Sequence, residues 1–159
     1  PVNYKGLVGM EGERLTSELF RRHAEASFDL QAEQLRRADA FALISPVIAL
    51  RRLSMAVAGT DLQGYRRFLE QAEQHRYRMV QALNRLQVDK LSYAGDRSSR
   101  DNRIGHEHWR GVSDFHHEPD PPLAALRRAA PAACVLLAWL AVLTVALLLA
   151  TQRLGRVAR

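Results

Sequence analysis

The residues best suited to chemistry in this sequence are its histidines and the acids beside them. His106-Glu107-His108 and His116-His117 fall in one stretch, with Glu118 and Asp120 close by. Imidazole and carboxylate together are zinc ligands. The spacing here matches neither a structural nor a catalytic zinc pattern, so these side chains read as solvated loop residues. His23 and His75 stand on helical faces beside apolar neighbours and read as interface histidines. Ser54 has no glycines around it of the kind that expose a nucleophile on a strand-to-helix turn. No Gly-x-x-x-x-Gly-Lys loop is present to cradle a nucleotide's phosphates. We therefore expect no catalytic residue, no bound metal or cofactor, and no enzyme.

Charge points elsewhere. The net charge of +6 invites a nucleic-acid reading, but residues 1–122 hold 18 basic and 17 acidic side chains, a net of +1. The surplus is Arg127, Arg128, Arg153, Arg156 and Arg159. These flank an uncharged window, where basic residues suit lipid headgroups and helix anchoring. Nucleic acid is not an expected partner; a lipid bilayer is. Arginine also recurs in pairs, at 21–22, 36–37, 51–52 and 66–67, each pair 15 residues after the last.

The window covers residues 129–150. Of its 22 residues only Thr144 carries a polar side chain, apart from the thiol of Cys134 and the indole of Trp139. At 1.5 Å per residue such a helix is about 33 Å long, and a bilayer's hydrocarbon layer is about 30 Å thick. Its seven Leu and three Val favour insertion by about 3 to 6 kcal/mol. A buried core helix normally keeps a polar face, and this window has none. Pro131 sits near its start, where proline costs little. Cys134 is the single cysteine, so no intrachain disulfide can form.

The elements upstream read as helices. Leu15, Leu19, Phe20, Ala24, Phe28, Gln31 and Leu35 recur at spacings of three and four, an amphipathic pattern. Gly6, Gly9 and Gly12 weaken its start, so residues 1–12 are expected to be irregular. Ser45-Pro46 breaks the chain and starts a second helix. The apolar run at residues 40–50 is too short to span a bilayer. We expect it in the core of the domain; a place at the membrane surface is the other reading. Gly59 suits a helix end, and Asp61 can cap the helix that follows. Tyr65, Phe68, Leu69, Ala72, Met79, Val80, Leu83 and Leu86 form the apolar stripe of that third helix.

The expected fold is therefore all-α. About three helices, near 3–45, 46–58 and 62–88, and a loop at 89–122 make an extramembrane domain over residues 1–122. A transmembrane helix with a short basic tail, residues 123–159, completes the chain. No strand pattern and no internal repeat are visible.

Three segments carry a resemblance: Pro1-Val-Asn-Tyr-Lys-Gly-Leu7, Leu50-Arg-Arg-Leu-Ser-Met-Ala-Val-Ala-Gly-Thr-Asp61 and Trp109-Arg-Gly-Val-Ser-Asp-Phe115. In this order they resemble the C-terminal part of bacterial ABC-2-type transporter permeases of the DUF3526 group. After Asp114-Phe115 that group tends to carry an aromatic residue and two prolines, where this chain has His116-His117-Glu118-Pro119-Asp120-Pro121-Pro122. The resemblance implies an extracytoplasmic helical domain followed by a last transmembrane helix in the bacterial inner (plasma) membrane, with the C-terminus cytoplasmic. It implies a separate ATP-binding ATPase subunit and a second permease chain in a dimer as partners, moving a substrate of undefined class. The chain opens on Pro1 and not Met, and we read it as a C-terminal fragment. Arg52, Ser54, Asp61, Trp109, Asp114 and Phe115 match the group's motif positions. Structural roles are expected for them, Asp61 as a cap and Trp109 and Phe115 as loop anchors. The competing expectation is a tail-anchored interaction protein, since the window ends nine residues before the C-terminus. The basic flanks do not choose between them: two arginines precede the window and three follow it.

Overall fold

A computed structural model describes residues 4–91 and 104–157. The chain is all-α, with α1 at Tyr4–Ala42, α2 at Pro46–Ala58, α3 at Leu62–Lys90 and α4 at Pro122–Val157. No strand occurs among the described residues. The stretch expected to be loop contains a short 3₁₀ helix, His106–Gly111, and residues 92–103 of it lie outside the described residues.

Both breaks have local causes. Ser45 takes an extended backbone before Pro46, as the ring of a following proline demands. At the other end of α2, Gly59 adopts the left-handed conformation, φ 67°. The N–H of Thr60 then reaches back to Met55 O at 3.0 Å, closing the helix with the αL cap that glycine makes cheap. Asp61 follows as N-cap of α3: its Oδ1 accepts the Gly64 N–H at 2.9 Å.

The start of α1 departs from expectation, being helical from Tyr4 onward through Gly6, Gly9 and Gly12. The reason is tertiary. A methyl group on Gly6 would stand 2.6 Å from Val88 Cγ2 and 2.9 Å from the backbone oxygen of Asn84 on α3. At this point glycine is a contact surface, and the close approach it permits offsets its poor helix propensity.

The chain divides into two compact units. One comprises Pro1–Phe28 and Arg66–Glu118; the other comprises Asp29–Tyr65 and Pro119–Arg159. In the first unit, α1 and α3 run alongside in opposite directions. Gln81 Nε2 donates to Met10 O at 2.8 Å. Arg76 bridges Glu13 at 2.5 Å and Glu73 at 2.7 Å, and the Arg66 guanidinium lies 5.7 Å from the centre of the Phe28 ring. Phe28 is the buried anchor of α1, whereas Leu15, Leu19, Phe20 and Leu35 of the expected stripe are exposed.

The second unit is built differently. α2 packs along α4, and the unit's buried apolar residues are Ala42, Ala49, Ala56 and Ala129. The run expected to be core is mostly outside: Phe41 is 62% exposed, Leu43 65%, Ile44 73%, Val47 73% and Leu50 58%. The physical reason is the close alanine contact, which leaves no room between the helices for larger side chains.

Two outcomes follow for the first unit. Gly6→Ala should destabilise it by about 1 to 2 kcal/mol, because the Asn84 carbonyl it meets is backbone. Gly12→Ala, with open space around it, should stabilise it by about 0.5 to 1 kcal/mol; urea titrations followed by circular dichroism measure both. Separately, the Arg76 guanidinium bonded to Glu73 holds that carboxyl below its ordinary value of 4.5. A depressed carboxyl pKa stabilises above its unfolded value and loses that contribution as pH falls through the folded one. Glu73→Gln should therefore flatten the loss of stability below about pH 4.5, as read from the urea midpoint against pH.

Candidate functional site: the apolar helix and its polar collar

α4 is the one described helix long and apolar enough to cross a bilayer, and of its apolar window only Ala129 is buried. From Leu140 to Ala150 every residue is exposed. A helix apolar on all sides does not stay bare in water. Its single hydroxyl in that half, Thr144 Oγ1, donates to Leu140 O at 2.8 Å. Cys134 is exposed as well.

The first half of the window carries α2. Two contacts fix the register. Arg128, at the base of the window, has Nε 2.8 Å from Asp61 Oδ2 and Nη2 2.8 Å from Asp120 Oδ2. Eleven residues on, Trp139 Nε1 donates to Leu43 O at 3.1 Å. Asp61 lies just beyond α2 and Leu43 just before it, so α2 runs antiparallel to α4 between these levels. The separation along α4 is about 17 Å, close to the length of α2. The Trp139 indole thus closes the α1–α2 turn.

One cation between two acids forms the collar. Arg128, Asp61 and Asp120 are all mostly buried, so the three charges compensate one another where water is scarce. Asp61 thus does two things: one oxygen caps α3, and the other meets Arg128. Arg52 forms a second ion pair, with Asp39 of α1.

Phe115 belongs to the first unit. Its ring meets Phe68 edge-on, with centres 5.7 Å apart, and lies 5.5 Å from His75. His117 also packs on Phe68, with ring centres 5.4 Å apart. The backbone after it is held by Gln71. The amide oxygen accepts the Glu118 N–H at 2.9 Å, and its nitrogen donates to Glu118 O at 2.9 Å. Gln71 Oε1 is also 2.8 Å from His117 Nδ1, which puts the imidazole proton on Nδ1. Arg67 Nε adds a bond to Glu118 O at 3.0 Å.

Of the six motif residues, the structure pairs Asp61 and Arg52 with partners far along the chain and packs Phe115 on α3. Ser54 and Asp114 are exposed. The side chain of Trp109 lies outside the described residues. Sequence reasoning missed Asp39, Asp120, Arg128 and Gln71 as partners. His106 and His108 flank Glu107 at 3.8 and 3.7 Å, and among the described residues no three His, Cys, Asp or Glu side chains converge as metal ligands would.

Arg128→Met should leave Asp61 and Asp120 facing each other without a cation and cost about 2 kcal/mol of stability, discounted from a fully buried pair for residual exposure. Adding Asp120→Asn should recover part of that loss. Unfolding in detergent micelles, followed by helical circular dichroism, reads both variants.

No curated protein and no solved structure matches the chain. The profile of one family does, described as a domain of unknown function (DUF3526), over residues 1–118. That match covers α1, α2, α3 and all six motif positions, and ends before α4 begins. The chain belongs to the DUF3526 family.

Proposed function

We propose that this chain is a membrane-spanning permease component of a bacterial ABC transporter. It works with a separate ATP-binding ATPase subunit and a second permease chain, and moves a substrate across the inner membrane. The observation that carries the reading is α4, whose uncharged stretch from 129 to 152 is long enough to span and is exposed throughout from Leu140 to Ala150. Motif resemblance to ABC-2-type permeases in the family-matched residues supports the transporter class.

In this division of labour the chain hydrolyses nothing. Its sequence has no phosphate-cradling loop, so the chemical step falls to the ATPase. α4 supplies one helix of the membrane part, and the helices before it form a domain on the extracytoplasmic side. Arg153 meets the cytoplasmic headgroups.

Asp114 is exposed and precedes α4, so it reports the side on which the domain lies. A cysteine placed there in a Cys134→Ala background, in intact cells of the source bacterium, should react with a membrane-impermeant maleimide. Reaction only after permeabilisation would place the helical domain in the cytoplasm and favour a tail-anchored protein over a permease.

A further inference from the structure

The α1–α2 turn of the second unit is apolar outside and closed inside. Phe41, Leu43, Ile44, Val47 and Leu50 are all more than half exposed. Between Arg37 and Arg51 only one residue is charged, Asp39, and it is paired with Arg52. An apolar tip of this kind in water would be an aggregation hazard.

Its backbone is arranged for a place without water. Phe41 O accepts the N–H groups of Ile44 and Ser45 at 3.1 and 3.0 Å. Ser45 O accepts those of Ile48 and Ala49 at 3.1 and 3.3 Å. Leu43 O takes the Trp139 indole N–H. In hydrocarbon each of these groups must find its partner within the protein.

Its height is fixed by the same bond. Trp139 stands within two residues of the midpoint of the uncharged stretch from Ala129 to Gln152. Arginine pairs bracket the tip on both legs: Arg36-Arg37 on α1 and Arg51-Arg52 on α2. The Arg52–Asp39 ion pair brings Arg52 to the level of Asp39, two residues past Arg37. Leu43 lies six positions after Arg37, and Arg52 six positions after Pro46. Each leg therefore extends about 9 Å beyond its arginines, with the paired Asp39 the one charge on the way. Arg36, Arg37 and Arg51 are exposed, as headgroup-binding arginines must be.

We infer that the α1–α2 hairpin is re-entrant: its tip reaches the level of Trp139 near the middle of the acyl chains, alongside the first half of α4, and the arginines about 9 Å back along its legs snorkel outward to the phosphates of the same leaflet. This rests on the reading that α4 spans the bilayer. The occupant of the apolar surface is lipid, because the surface continues that of α4 at the same height and is rimmed by cations on both legs.

The test is depth-dependent quenching on the full chain. Single cysteines replace Ile44, Leu147 or Gln31 in a Cys134→Ala background; all three sites are exposed, so the fold tolerates a label there. Each carries an environment-sensitive fluorophore. The protein is reconstituted in phosphatidylcholine–phosphatidylglycerol vesicles, with or without bromine at mid-acyl chain. Labels at 44 and 147 should each lose at least half their emission to bromine, with no loss at 31. Quenching at 147 with none at 44 would overturn the re-entrant hairpin and leave the spanning helix standing; the tip would then lie in water or beneath protein. No quenching at 147 would remove the spanning helix, and the hairpin's membrane place with it.

Discussion

The second unit depends on one inversion: its small side chains are inside and its large apolar ones outside. Ala42, Ala49, Ala56 and Ala129 are buried, while Phe41, Ile44, Val47, Leu140 and Leu147 are exposed. In water this arrangement forfeits the main driving force of folding. In lipid it costs nothing, since acyl chains solvate Leu and Val as well as a core does. Helices then associate through close backbone approach at small residues. α2 on α4 is such a contact. The proposal that this chain works in a membrane therefore draws on the pattern of burial as well as on the length of one helix.

The polar contacts are distributed to suit that pattern. The collar of Arg128 with Asp61 and Asp120 sits at one end of α2, and the Trp139 bond to Leu43 at the other. Both ends of α2 are thereby fixed by polar interactions, and the length between them by packing. The first unit uses a different economy. Exposed acid–arginine pairs along α1 keep one face solvated, and Arg76 cross-links α1 to α3 through two carboxylates. Gln71 binds both backbone groups of Glu118, so a single amide replaces the pairing that a strand would have supplied.

Much of the fold was legible because its signals are local. The helix breaks at Ser45-Pro46 and Gly59 are properties of proline ring sterics and glycine backbone freedom. The uncharged window needed only counting. The Asp61 cap is a contact over three residues. What escaped was long-range. Gly6 reads as a helix breaker until Asn84 and Val88 are seen to need its missing side chain. The run at residues 40–50 reads as core because sequence alone does not say which solvent surrounds it. Arg52 and Arg128 stood among many arginines, and nothing in their spacing named Asp39, 13 residues back, or Asp61, 67 residues back. The indole at 139 had no visible partner because Leu43 is 96 residues away.

Thr144 and Thr151 both turn their hydroxyl protons back onto carbonyls of their own helix, Leu140 and Leu148. The stretch of α4 from Leu140 to Thr151 is thereby left with no idle side-chain donor for a neighbour to grasp. Any helix lying against it must recognise shape alone, the relief of Leu and Val side chains. Such contacts resist sliding less than a hydrogen bond does. A lateral joint made this way can shift register or part without breaking a polar bond.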